Sequence, residues 1–343
     1  MRWKGKYSME AGKNSTVGLG VEKNFKYYLL HFGVYIVFLL VALYFAVGNS
    51  NFLSVPNILL ILQQATPLAI AATGMTLVLI LAGVDISAGQ NMYLSAVVMG
   101  MVMQKLMKNG MTLTTWGTPF LIMGIGLCVG LCIGFINGLL IGKFNMVPFI
   151  ATLATLCITR GVTLLINNSA TVFVTELSPY INLQVFSIPM IIIFAIVIMV
   201  IFDMILRIFP YGRRLFATGK DNVAATRIGI SVVRMKFTAY LICGGLVGIC
   251  GAILGAQIGG IPVTFAMGNE FVVISACVLG GTSLFGGKGS IIPGAMFGMI
   301  LVQMIMNGLT MVNASPYIYQ IVRALIIFLV VGVDCIGYKG EIR

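Results

Sequence analysis

Apolar residues run through this chain in long, almost unbroken stretches, without the alternating pattern of membrane strands. At roughly 20 residues per crossing, they divide it into about ten segments. These lie near 29–47, 58–82, 91–106, 119–141, 147–166, 188–208, 236–256, 270–285, 290–311 and 316–336, the third and eighth being short. Helices satisfy their own backbone groups in lipid, so the pattern predicts an all-α polytopic membrane protein. Residues 1–28 read as a cytoplasmic lead-in, 29–336 as the membrane domain and 337–343 as a cytoplasmic tail. One polar island, 207–236, interrupts the middle. Its centre, Gly219 to Gly229, is rich in good helix formers and closes on glycine, which predicts a short helix on the membrane surface.

Composition agrees with the pattern. Charged residues make up 9% and hydrophobic residues 59%, against about 25% charged in soluble domains. A net charge of +12 would suggest nucleic acid in a soluble protein; here it reports orientation. With ten segments and the N-terminus inside, seventeen of the 21 Lys and Arg fall on the cytoplasmic side and only Lys105 and Lys108 outside. That bias places both termini and the 207–236 island in the cytoplasm. The island carries seven basic residues against Asp221 and suits docking of a soluble partner. The longest outside segment, Asn167 to Ser187, predicts a surface hairpin or interfacial helix. The lead-in has no signal-peptide cleavage pattern, so the first segment is expected to act as an uncleaved start.

Glycine carries more information than any titratable residue. Gly126, Gly130, Gly134, Gly138 and Gly142 recur every fourth residue and predict a bare helix face that another backbone can approach. Gly244, Gly248, Gly251, Gly255 and Gly259 repeat the device, as do Gly294 and Gly298. Tight packing and a sliding surface both fit. Two glycine-rich stretches, 82–89 and 279–290, break the apolar runs: either plain turns, or irregular backbone lining a wet pathway.

Polar residues within the segments are few. Arg160 stands about 20 Å from the cytoplasmic edge and Arg323 about 10 Å below the outer edge, by 1.5 Å per residue. Each can snorkel outward, or face a central opening. Asp85, Ser87, Asn137, Thr282, Ser283 and Asn307 are further pathway or gating candidates. With Gln63, Gln64, Asn91 and Gln303, the two Asn among them can otherwise bridge helices. The seven cysteines all fall in apolar segments without a CxxC pair and His31 is the only histidine, so neither metal nor disulfide is expected; they read as small packing residues. No nucleophile–base or metal constellation supports an intramembrane enzyme. A P-loop pattern is absent, so nucleotide hydrolysis would need another chain. A secondary transporter would need an ion-coupling acid in mid-span, whereas Asp85, Glu270 and Asp334 lie near ends or breaks.

From about residue 50 to 336 the chain resembles the permease subunits of bacterial ABC importers for simple sugars, of the ribose and galactoside type. The resemblance rests on Gly74-Met75-Thr76-Leu77, Gly83 to Gly89, Asn137-Gly138-Leu139, Pro148 to Leu153 and Arg160-Gly161. It continues through Gly219 to Gly229, Gly280-Gly281-Thr282-Ser283-Leu284, Asn307-Gly308-Leu309, Ser315-Pro316-Tyr317 and Asp334. It implies an inner-membrane permease working as a homodimer or with a similar permease. Its partners would be an ABC ATPase subunit that binds ATP and magnesium, and a periplasmic or lipid-anchored sugar-binding protein; this chain would hold no cofactor. Permeases for branched-chain amino acids, nucleosides or a signalling sugar share the architecture. By the same resemblance, Gly219, Asn222, Ala224, Ala225, Arg227 and Gly229 belong to the loop that couples to the ATPase. Here Asn222 or Val223 stands where that loop often has an acid.

Overall fold

The protein is seen in a computed structural model that describes the backbone over 25–185 and 188–341, and side chains over 36–185 and 188–335 except at 316, 330 and 333. The lead-in before residue 25, the end of the tail and the side chain of His31 lie outside the described residues. The helices are α1 (Phe25–Gly48), α2 (Val55–Ile80), α3 (Ala88–Lys108), α4 (Gly117–Gly138), α5 (Pro148–Ile166), α6 (Ser178–Ile181) and α7 (Met190–Arg207). They continue with α8 (Pro210–Lys220), α9 (Asn222–Arg227), α10 (Val232–Ile258), α11 (Asn269–Leu279), α12 (Met296–Met311) and α13 (Pro316–Glu341). α4 runs on through a wider turn to Lys143. Proline opens α2, α5 and α8, where its missing N–H costs nothing.

Among the described residues six helices are long and apolar enough to cross a membrane: Val55–Ile80, Gly117–Lys143, Pro148–Ile166, Met190–Arg207, Val232–Ile258 and Ile291–Met311. Within the stretch 270–285 the helix is shorter than predicted: α11 has 11 residues, a reach of about 16 Å, or half a hydrocarbon core. It stops because Gly280 and Gly281, the latter at φ +88°, turn the chain out of the helix. The last helix also continues past 336, to Glu341.

α2 and α10 form the centre. Ala65 to Ile80 are buried without a break, and α10 packs against α4, α2 and α3. The α4–α10 contact is backbone on backbone. A Cβ added to Gly126 would stand 2.5 Å from the Gly248 oxygen, and one on Gly134 2.6 Å from that of Tyr240. Gly138 and Gly142 meet Phe237 and Val233 in the same way, so the glycine face of α4 lies in one seam with Gly244 and Gly248 of α10, whereas Gly251 of α10 packs on the Met92 backbone of α3. The outer faces of α4, α5 and α7 expose Phe135, Ile136, Leu165, Val197 and Ile201, as lipid contact requires. Cys128, Cys132 and Cys157 are exposed too, which corrects their reading as buried packing; Cys243, Cys250 and Cys277 are buried.

The connections gather at the two ends of α2. At its start, Gln63 donates to the Asn182 oxygen at 2.7 Å, and Asn49 donates to the Met311 carbonyl at 3.1 Å. The 167–189 segment on that side holds β1 (Val172–Phe173), β2 (Gln184–Val185) and β3 (Ile188–Pro189). β2 and β3 pair antiparallel as a small hairpin, and β1 pairs with β4 (Gly260–Ile261). Gln104 near the end of α3 donates to the Phe173 carbonyl, which puts Lys105 and Lys108 at this end. At the other end of α2 lie the ends of α8 and the 280–290 loop, because the Gly287 N–H donates to the Ile80 carbonyl at 2.8 Å.

Candidate functional site

Three constellations collect the residues singled out by the sequence. The first is the polar island, folded as α8 and α9. Asp221 caps α9: its Oδ1 accepts from the N–H groups of Val223 at 2.8 Å and Ala224 at 3.0 Å. Those N–H groups, that of Ala224 foremost and with Arg227 adding attraction, hold its carboxyl below the usual carboxylate range. The sequence looked for an acid at 222 or 223; it stands one residue earlier, as the cap. α9 ends through Gly229 at φ +82°, where the Ile230 N–H returns to the Ala225 carbonyl at 3.0 Å. Ala225 is buried, whereas Asn222, Val223, Ala224, Arg227 and Ile228 face outward. A shallow groove of about 460 Å³ runs beside them, lined by Asn145, Asn222, Val223, Thr226, Arg227 and Lys236. α9 therefore presents a capped, fixed platform with two bare aliphatic side chains and a basic rim.

Gly219 does not join that platform. It faces inward, so tightly that a Cβ there would overlap the Ile80 carbonyl oxygen, and the Gly287 nitrogen would be 2.9 Å away.

The second constellation surrounds Asp85 in the loop between α2 and α3. The carboxylate is buried, and no basic side chain pairs with it among the described residues. Ser87 donates to Oδ1 from its hydroxyl (2.5 Å) and its N–H (3.0 Å), and Asn137 Nδ2 reaches the same oxygen at 3.4 Å. Asn137 also donates to Ser87 Oγ at 2.9 Å and accepts from Thr155 at 2.7 Å. α3, α4 and α5 are thus tied to the α2–α3 loop by one hydrogen-bonded chain, a fixed arrangement once every member is satisfied. Thr155, which closes the chain, was not singled out in the sequence; its i−4 hydroxyl bond to the Ala151 carbonyl is all that local pattern offered.

The third lies where the loop before α11 meets α3 and α13. Glu270 in the first turn of α11 is buried, and its Oε2 packs on the bare Gly89 near the start of α3 without a hydrogen-bond partner. Arg323 of α13 reaches the same loop, its Nη1 3.2 Å from where a Cβ on Gly268 would stand, and its Nε is also unpartnered. The two feel each other's charge without closing an ion pair. Arg160 is half-buried with Nη1 unpartnered, and nothing brings it to Arg323.

The remaining candidates lie apart. Asn307 forms a reciprocal amide pair with Asn57, 3.1 Å each way, bridging α12 to α2 at the far end. Gln303 with Gln64 and Asn91 with the Gly244 carbonyl are helix bridges of the same kind. Ser283 and the Leu284 N–H bind the Asp334 carboxylate, fixing the second glycine-rich break to α13. Thr282 is buried, its hydroxyl unpartnered.

Residues 57–331 match a family described as branched-chain amino acid transport system / permease component. The ribose import permease protein of Bacillus subtilis is 35% identical over 309 residues, covering 88% of this chain and 90% of its own. The D-allose transport system permease protein of Escherichia coli is 30% identical over 303 residues, 88% and 90% of the two chains. The galactose/methyl galactoside import permease protein of the same organism is 29% identical over 331 residues, 93% and 98%. No solved structure matches this chain.

Proposed function

Because the chain belongs to the branched-chain amino acid transport system permease family, we propose that it is the membrane-spanning subunit of an ATP-driven importer for a simple sugar. The observation that carries the substrate class is its similarity, over nearly the whole length of each protein, to import permeases named for ribose, allose and galactose. In this reading the chain contributes no catalysis. ATP and magnesium bind a partner ATPase, a second permease copy or a paired permease completes the pathway, and an extracytoplasmic binding protein delivers the sugar. Nucleic acid plays no part.

The segregation of charge supports the orientation. Lys143, Arg213, Arg214, Lys220, Arg227, Arg234, Lys236 and Lys288 lie at the end of the bundle where α8 and α9 sit, and Lys105 and Lys108 at the other. By the positive-inside bias, this segregation supports a cytoplasmic position for α8 and α9. The six apolar helices, with α1, α3, α13 and α11 plus its leading loop, then make ten passages of an inner membrane, and both termini are cytoplasmic. ATP-driven closure of the partner would press on α9 and shift the bundle between outward- and inward-open states, which it can do only by binding them with different affinity.

Co-purification with ATPase subunits tests this. Wild-type protein retains the partner; Ala225→Arg, which forces a charge into the buried face of α9, and Gly229→Trp, which strains a left-handed backbone position, lose it. Wild-type protein that binds no ATPase overturns the reading. The family's description favours one alternative cargo, branched-chain amino acids. ATP-dependent proteoliposome uptake of labelled ribose or galactose, with leucine excluded, separates the two.

A further inference from the structure

Two helix ends and one loop lock together beneath the platform. The Gly287 N–H donates to the Ile80 carbonyl, the last residue of α2, at 2.8 Å. Gly219, near the end of α8, rests on that same carbonyl with no room for a methyl between. Gly286 closes the third side: a Cβ on it would stand 2.7 Å from the Gly219 oxygen and 2.9 Å from the Ala82 nitrogen. Gly286 and Gly287 take φ of +84° and +73°, where only glycine rests without strain. The contact is backbone on backbone throughout, so no rotamer change can absorb a displacement of one partner against the others.

What hangs on each side gives the joint a consequence. On one side, α8 leads through Asp221 into α9, the outward platform. On the other, α2 is the helix buried without a break from Ala65 to Ile80, and Ala82 and Gly83 lead straight from it to the Asp85 network holding α3, α4 and α5. The 280–290 loop in turn is fastened to α13 through Asp334.

We propose that Gly219, Gly286 and Gly287 are positioning residues that clamp α8 to α2, so that displacement of α9 moves α2 and the 280–290 loop as one body. The proposal rests on the reading of α9 as the ATPase-docking element and adds how its movement enters the bundle. Gly219 on this view takes no part in binding the ATPase. It decides whether hydrolysis is converted into transport.

The permease is reconstituted in proteoliposomes with its ATPase and sugar-binding protein, and uptake and ATP hydrolysis are measured on the same sample. Gly219→Ala is expected to keep its ATPase at the wild-type level while sugar moved per ATP falls about tenfold, the scale of a lost coupling free energy. A packing defect without a coupling role would lower both rates together and leave their ratio unchanged, overturning the proposal. Loss of the ATPase from Gly219→Ala would overturn it too, by making Gly219 a docking residue. A second variant keeps the question open if Gly219→Ala is not recovered from membranes. Gly286→Ala puts its methyl 2.7 Å from the Gly219 oxygen and 2.9 Å from the Ala82 nitrogen, so it disturbs the same joint from the loop side. It is expected to show the same fall in sugar moved per ATP with the ATPase still bound. A Gly286→Ala permease with the wild-type ratio of transport to hydrolysis would refute the proposal. Wild-type protein that binds no ATPase is a different result, and counts against the docking reading instead.

Discussion

At the scale of single residues, the side chains that set geometry here do so through the backbone. Asp221 is fully exposed, yet it fixes the start of α9 by accepting two N–H groups. Asp221→Ala is expected to weaken ATPase binding several-fold and Asp221→Asn less, since an amide oxygen also caps; titration calorimetry with the isolated ATPase reads both. The pH dependence has a fixed sign. The folded-state carboxyl titrates below its unfolded value, so its contribution is complete above about pH 4 and fades as pH falls through the lower, folded value. Binding that weakened as pH rose from 5 to 7 would contradict the cap. Glu270 and Arg323 oppose each other across α11 and α13, each with an unpartnered atom. Removing one charge leaves the other uncompensated, so Glu270→Gln and Arg323→Gln should each impair transport while the double variant falls well short of their sum. Additive losses in a double-mutant uptake assay would sink that pairing. Arg323 stood out in the sequence as a charge inside an apolar run. Its partner did not, because Glu270 sits at a segment end and only the loop before α11 brings it in.

Elements were the most legible level, for a simple reason: a helix in lipid must be long and apolar, and both properties are local. Each predicted stretch holds one helix, with ends shifted by a few residues. The shortfall at 270–285 is equally physical, since Leu284 and Phe285 extend the apolar run beyond the point where Gly280 and Gly281 end the helix. The glycine period revealed a bare face on α4 but not its partner, because period gives a face and never an address. The address is α10. Gly130→Val, which drives a branched side chain into the Gly244 and Gly248 backbone, is expected to cost about 1–3 kcal/mol and to lower the melting temperature in detergent. Gly161→Ala, at a position with open space around it, should be neutral or stabilise by up to about 1 kcal/mol. Equal shifts for the two would mean that the seam is not tightly packed.

For the whole molecule, charge and connectivity support the proposed orientation. Lys105→Cys should react with an impermeant maleimide from outside intact cells, and Lys220→Cys only after the inner face is opened; the reverse pattern would invert the assignment. The sequence carried the charge bias behind it through its basic residues, but not the meeting of the 82–87 loop, α8 and the 280–290 loop at one end, which brings together three segments far apart along the chain. Helix length has one more consequence at this scale. The long helices, α2 and α10, at 26 and 27 residues, are largely shielded by protein, whereas α5 and α7 meet the lipid with 19 and 18. Those two span only about 27–28 Å, a little less than an average hydrocarbon core. The chain therefore measures its bilayer with the shortest of its six long apolar helices, and thick, sterol-like or long-acyl membranes should squeeze it where thin ones leave it at ease.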